Sequence, residues 1–147
     1  VTRDGCPIIF HDDFIYSEEQ GVVYEKRVTE VCLSEFMSYG PQRDTSKTRK
    51  PLLRKSKEGK IHKWSVATDD SFCTLQEAFE KVENPNLGFN IELKLDDNLF
   101  YSSDQLSRLL LPILQVVSDI GNDRPIIFSS FHPDAALLVR KLQTTYP

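Results

Sequence analysis

No apolar run in this chain of 147 residues approaches the length of about 18 that a membrane span requires. The longest, Leu109-Leu110-Leu111-Pro112-Ile113-Leu114, is far shorter and is interrupted by a proline. The N-terminal VTRDG has neither a signal-peptide core nor a transit composition, so no targeting segment is read within these residues. Cysteine is scarce: Cys6, Cys32 and Cys73 are odd in number, widely spaced and form no CxxC pair. That argues against a disulfide framework or zinc site, reads as buried or half-buried reduced thiols, and favours a reducing compartment. Neither GxGxxG nor GxxxxGK[ST] occurs, so both nucleotide-binding forms of the open α/β sheet lack their fingerprint. Ser129-Ser130-Phe131-His132 lacks the Gly-x-Ser-x-Gly elbow, leaving the two serines as packing or hydrogen-bonding groups. No internal repeat recurs at a fixed period.

What remains is a composition with 39% hydrophobic and 27% charged residues, which suits one globular domain with its own core. Charge is unevenly spread. Nine of the 18 basic residues (Arg43, Lys47, Arg49, Lys50, Arg54, Lys55, Lys57, Lys60 and Lys63) lie between Gly40 and Lys63, opposed only by Asp44 and Glu58. That stretch carries +7 and the remaining residues −11. It reads as a solvated basic loop outside the core, with His62 in water and Trp64 anchoring its return. Its charge suits phosphate-rich partners or an anionic membrane surface. However, it has no aromatic interleaving before Trp64 and no amphipathic period, so nucleic acid is not an expected partner. Thr45, Ser46, Thr48 and Ser56 among the basic residues are candidate phosphorylation sites.

Three apolar runs bounded by turn residues read as strands buried on both faces: Pro7 to His11, Leu87 to Leu93 and Pro125 to Phe131. Helical signals fill the gaps. Thr74-Leu75-Gln76-Glu77 is a capping box, followed by Leu75, Ala78, Phe79 and Val82 at helical spacing. A second helix opens at Ser102 or Ser103 and runs to Asp119, with Leu106, Leu109, Leu110, Ile113, Leu114 and Val117 on one face. Pro112 is expected to kink it, and Gly121 to end it in the left-handed conformation. A third helix runs from Pro133 to Tyr146 with Ala136, Leu138, Val139 and Leu142 for packing, and a short one covers Ser34 to Tyr39. The alternation is α/β, either an open doubly wound sheet or part of a (β/α)₈ barrel.

In such folds chemistry gathers at the carboxyl ends of strands. His11 follows Ile8-Ile9-Phe10 and can take or give a proton near neutral pH, or serve a structural role there. Asp12 and Asp13 can hold its ring or cap the following loop. The two-residue period of a strand sets Gly88, Asn90, Glu92 and Lys94 on one face against Leu87, Phe89, Ile91 and Leu93 on the other. Glu92 is a fit ligand for a hard divalent cation and Lys94 a fit partner for a phosphate oxygen. The pair also reads as a plain ion pair at a strand end. His132, before Pro133, marks the entry to a helix.

Thr2-Arg3-Asp4-Gly5-Cys6-Pro7-Ile8-Ile9-Phe10-His11-Asp12 resembles the T-K/R-D-G-x-P-V-V/I-x-H-D block of the glycerophosphodiester phosphodiesterase family. Ile91-Glu92-Leu93-Lys94 resembles its I-E-I/L-K strand, and Ile127-Phe128-Ser129-Ser130-Phe131 its later S-S-F strand. Thr74-Leu75-Gln76-Glu77-Ala78 is similar to its P-T-L-E/Q-E helix start, with Cys73 in place of the proline. The blocks come in family order, and the basic insertion resembles that of the longer plant-like members.

The resemblance implies a TIM-type (β/α)₈ barrel that hydrolyses glycerophosphodiesters, such as glycerophosphocholine, to glycerol 3-phosphate and an alcohol. It also implies a divalent cation, Mg²⁺ or Ca²⁺, and a pair of histidines. By motif, His11 is one of that catalytic pair, Glu92 a metal ligand and Lys94 a contact for the substrate phosphate. The family's H-R-G, E-N-T and E-x-D blocks are absent from these residues. A barrel needs about 250 residues, so residues 1–147 are expected to be a partial domain, roughly its middle half, carrying a basic loop insertion at about 40–63. By itself this stretch is expected to be inactive. A second reading is a non-catalytic truncated barrel that binds or regulates through the basic loop. The expected partner is the small-molecule diester, in a cytoplasmic or organellar compartment; the sequence leaves oligomeric state open.

Overall fold

A computed structural model of the chain describes residues 1–40, 50–67, 71–96, 98–121 and 123–147. The chain divides into two compact units, Thr2–Cys73 and Thr74–Pro147, the second including Val1. Each has its own sheet and its own core. The phosphorylation candidates Thr45, Ser46 and Thr48 lie outside the described residues.

Thr2–Cys73 is built on a mostly antiparallel sheet that the apolar-run reading did not anticipate. Strands β1 (Phe14–Glu19) and β2 (Val22–Arg27) form a hairpin, with Phe14 opposite Arg27 and Glu19 opposite Val22. Gln20 and Gly21 join them with φ of 52° and 78°. Two successive positive φ values give the turn whose twist matches that of a hairpin, and glycine takes the second without steric cost. A short helix α1 (Leu33–Ser38) leads into β3 (Tyr39–Gly40), which pairs parallel with β4 (Lys50–Lys55). β4 also pairs with β1 and with β5 (Ile61–Lys63), giving the order β2-β1-β4-β3 with β5 on β4. The core consists of Ile15, Val31, Phe36, Tyr39 and Leu52, against which Phe10, Trp64 and Phe72 pack.

Two expectations fail in this unit. The basic stretch is not a loop throughout: β4 and β5 are strands, and Leu52 and Leu53 are 3% and 5% exposed. Its charges do not prevent this, because long cationic side chains lie over aromatic faces while their heads stay wet. Arg54 is 4.6 Å from the Trp64 ring centroid and Lys55 5.7 Å from that of Tyr16. Pro7–His11 carries one bridge, at Ile8, instead of a strand ladder. It is also covered unevenly: Pro7 is buried and Ile8 and Phe10 pack on the core, whereas Ile9 is 46% exposed and His11 is exposed.

Thr74–Pro147 has the expected α/β alternation: α2 (Leu75–Lys81), β6 (Phe89–Glu92), α3 (Ser103–Ile120), β7 (Ile126–Ser129) and α4 (Pro133–Leu142). β6 and β7 are parallel, with Phe89 opposite Ile126 and Glu92 opposite Ser129. The capping box forms at α2: the Glu77 N–H donates to Thr74 Oγ1 at 3.1 Å, and the Thr74 N–H donates to the Glu77 carboxylate at 2.8 Å. Ser102 and Gln105 repeat the device at α3, which continues through Pro112. Phe89, Ile91 and Leu93 pack on Leu106, Leu110, Val117 and their neighbours, so β6 buries one face only, and Ile127 of β7 is 54% exposed. The expectation of strands buried on both faces therefore fails here too.

Gly121 ends α3 with φ −63° and ψ −26°, right-handed instead of left-handed. Glycine is required there by proximity, since a Cβ would run into the backbone carbonyl oxygen of Val117, with Ile126 Cδ1 2.9 Å away as well. Helix α4 stops at Leu142, short of the expected Tyr146, because the Gln143 side-chain amide engages both the N–H and the carbonyl of Tyr146. It packs Ala135 and Val139, with Leu138 beside them, whereas Ala136 and Leu142 face solvent.

A second close approach is testable. The Phe89 N–H donates to the Pro125 carbonyl at 2.8 Å, and a Cβ on Gly88 would lie 2.7 Å from that same oxygen. Gly88→Ala is expected to destabilise the protein by about 1–3 kcal/mol through this overlap, read as a lower urea midpoint. An unchanged midpoint would show that the β6–β7 edge has room to spare.

Candidate functional site

The residues singled out by sequence form two groups, one in each unit. His11 is positioned by a turn at the start of the chain. The Gly5 N–H donates to the Thr2 carbonyl at 2.9 Å, and Gly5 adopts φ 84°. Thr2 Oγ1 donates to Asp4 Oδ1 at 2.6 Å, and the same carboxylate accepts the Leu33 N–H at 2.9 Å, at the first residue of α1. The Arg3 N–H donates to the Val31 carbonyl at 2.8 Å. Thr2, Asp4 and Gly5 thus tie the segment leading to His11 onto the body of its unit. The Asp4 pKa lies below its ordinary value, chiefly because of the Thr2 hydroxyl, with the Leu33 amide adding to it.

At His11, Nδ1 is 2.9 Å from Asp12 Oδ1. An ionised carboxylate only accepts, so Nδ1 is the donor and Nε2 carries the free lone pair of the neutral ring. The His11 side chain is 72% exposed. Asp12, one of the two carboxylates proposed for this role, is the one that holds the ring; Asp13 is exposed. Asp12 is itself gripped from the other side: Arg54 Nε donates to Oδ2 and Nη2 to Oδ1, each at 2.9 Å. Burial works to raise the Asp12 pKa. The hydrogen bonds and charges of Arg54 and His11 outweigh it and hold the carboxyl below its ordinary 3.8. Sequence reasoning missed Arg54 because it lies 42 positions from Asp12 in a stretch that resembles solvated loop, and no local pattern links the two.

Glu92 is the last residue of β6, and Lys94 follows on the same face. Lys94 Nζ is 2.9 Å from Glu92 Oε1 and 5.7 Å from the centroid of the Phe131 ring. Beside them Ser129 Oγ donates to Asn90 Oδ1 at 2.9 Å, so the polar side of β6 and the end of β7 form one hydrophilic face. Ser130 Oγ donates to the Leu93 carbonyl and accepts the His132 N–H, joining the end of β6 to the start of α4. Both serines are thus hydrogen-bonding groups, and His132 stands at the α4 N-cap. The structure brings Glu92 to Lys94 and His11 to Asp12; His11 belongs to the first unit and the Glu92–Lys94 pair to the second.

For a hard divalent cation, Glu92 is the right kind of donor: a carboxylate at a strand end, about one-third exposed. Among the described residues no three His, Cys, Asp or Glu side chains converge on one point. Cys6, Cys32 and Cys73 are half-buried thiols. No helix among the described residues is long and apolar enough to cross a membrane.

The profile of the glycerophosphoryl diester phosphodiesterase family matches residues 1–147. Over all 147 residues the chain is 97% identical to the chloroplastic glycerophosphodiester phosphodiesterase GDPD1 of Arabidopsis thaliana, of which it covers 41%. It is 65% identical to Arabidopsis glycerophosphodiester phosphodiesterase GDPD2, covering 39% of that protein. A 118-residue stretch, 74% of the chain, is 37% identical to the glycerophosphocholine phosphodiesterase GDE1 of Candida albicans and covers 10% of it. The chain spans about two fifths of the length of the two Arabidopsis relatives. No solved structure matches it.

The Asp12 pKa gives a signed pH effect. A carboxyl whose pKa is depressed on folding stabilises the protein above its unfolded value, and that contribution is lost as pH falls through the folded value. Native protein is expected to exceed Asp12→Asn by about 1 kcal/mol near neutral pH. The two should converge once pH falls well below 3.8. Urea unfolding across that range measures it; a gap that ignores pH would remove Asp12 as the titrating group.

Proposed function

The chain belongs to the glycerophosphoryl diester phosphodiesterase family, and from that membership we propose that the whole protein hydrolyses glycerophosphodiesters such as glycerophosphocholine. The products are glycerol 3-phosphate and an alcohol. Residues 1–147 are a partial domain of that enzyme, roughly the middle half of a (β/α)₈ barrel, with a basic insertion at about 40–63. The observation that carries the reading is the anchored imidazole of His11. Its Nδ1 is held by Asp12 at 2.9 Å, and the remainder of the ring is open to solvent.

His11 is the general acid/base. Water bonds to phosphorus as the P–O bond to the alcohol breaks; the proton that water gives up goes to the second histidine of the pair, outside these residues, and the departing alkoxide leaves well only if it receives a proton. His11 Nε2 protonates the departing oxygen, while Nδ1 keeps its own proton and donates it to the Asp12 carboxylate, which steadies the imidazolium. The Lys94 ammonium, a compact charge on a flexible stem, meets a phosphate oxygen. Its present partner, Glu92 at 2.9 Å, keeps it on the polar side of β6. A bound Mg²⁺ or Ca²⁺ supplies Lewis-acid polarisation of a phosphoryl oxygen, and Glu92 is the residue of this stretch that would hold it. The second histidine and the other metal ligands are assigned to the rest of the whole protein. The name of the 97% identical Arabidopsis relative supports an organellar, plastid setting.

In the full-length protein, glycerophosphocholine hydrolysis is expected to stop on chelation and return when Mg²⁺ or Ca²⁺ is restored. His11→Ala should lower kcat by roughly 10²–10⁴-fold, the range for a lost general acid/base. Glu92→Ala should abolish the metal-dependent rate. Steady-state release of choline and glycerol 3-phosphate measures all three, and full turnover in both variants would reject the site assignment.

A further inference from the structure

We infer that Arg54, from the basic stretch, is a positioning residue that fixes the orientation and tautomer of the His11 imidazole through Asp12. Three contacts carry this. Arg54 Nε and Nη2 occupy Asp12 Oδ2 and Oδ1, both at 2.9 Å, so the carboxylate is held at two points and cannot turn about its own axis. Asp12 Oδ1 also takes His11 Nδ1 at 2.9 Å, so one oxygen links guanidinium to imidazole. The guanidinium is backed by the Trp64 ring, 4.6 Å to its centroid, and Trp64 in turn lies beside Phe10, the residue before His11.

The backbone reinforces the arrangement. Arg54 is in β4, whose residue Leu53 pairs with Tyr16 of β1, and β1 begins two residues after Asp12. All these groups lie within Thr2–Cys73. The fork is specific to arginine, since a lysine supplies a point charge that leaves the carboxylate free to rotate. An ion pair of this exposure adds little to stability, with side chains 43% and 20% exposed. Its consequence is geometric. An imidazole without a fixed Nδ1 acceptor samples both tautomers and several ring angles, and only one presents Nε2 to a leaving oxygen.

The claim of catalytic importance rests on His11 being the acid/base; the claim about the ring does not, and two measurements separate them. In full-length protein with ¹⁵N-labelled histidine, the His11 resonances should report the Nδ1–H tautomer. In Arg54→Gln that population should fall, kcat should drop about 10–100-fold with KM little changed, and Arg54→Lys should recover only part of the loss. An unchanged tautomer in folded Arg54→Gln overturns the inference, whatever its activity. If Arg54→Gln does not fold, the native protein and Arg54→Lys decide. An Nε2–H tautomer in the native protein, or an Arg54→Lys protein identical to it in tautomer and kcat, overturns the inference; a partial shift supports it. A shifted tautomer in a protein whose His11→Ala variant is fully active removes the acid/base reading and leaves the Arg54 clamp standing.

Discussion

Two adjacent leucines, Leu52 and Leu53, set in a run of cations, impose the constraint from which the first unit follows. Burying them takes the backbone of Lys50–Lys55 out of water, and its N–H and C=O groups must then find partners. They find them as a strand, with β1 on one side and β5 on the other. Once β4 is in that slot, Arg54 emerges next to Asp12 and over Trp64. A stretch whose charge suggests a solvated excursion thereby becomes part of the support for a candidate catalytic histidine.

The second unit rests on a different constraint, the alternation of a single strand. Phe89, Ile91 and Leu93 are drawn under α3 and α4, and the same two-residue period turns Asn90, Glu92 and Lys94 the other way. Packing of the apolar half thus positions the polar half. Ser130 ties the end of β6 to the start of α4, so the strand end carrying Glu92 and Lys94 is braced by the helix cap. The supports are unlike in kind: His11 depends on side-chain contacts across long sequence separations, Glu92 and Lys94 on local periodicity.

That contrast accounts for what was legible. The α2, β6, α3, β7, α4 order was readable because capping boxes, helical spacing and strand alternation are local signals. Gly121 reads as the end of α3, but the left-handed conformation expected of it is not adopted, and its right-handed geometry is visible only in the structure. The β1–β2 hairpin was missed although its signal is present: clusters of aromatic and β-branched residues, Phe14-Ile15-Tyr16 and Val22-Val23-Tyr24, on either side of a two-residue Gln20-Gly21 turn. It contains no long continuous apolar run. Pro7–His11, Leu87–Leu93 and Pro125–Phe131 are such runs and read as buried on both faces, but an apolar run does not record whether anything covers its second side.

By itself the sequence determined which residue types were available for chemistry and where local periodicity would set them: an imidazole after an extended segment, and a carboxylate with an ammonium on one face of a strand. It determined the family as well, through motifs that keep their order along the chain. Only tertiary structure decided that Asp12 and not Asp13 takes the histidine, that Arg54 grips Asp12, and that the basic stretch contributes two leucines to the interior. The physical reason is range. Periodicity and capping act over three or four residues, whereas the partner of the half-buried Asp12 carboxylate is chosen by strand pairing that brings together positions 42 apart.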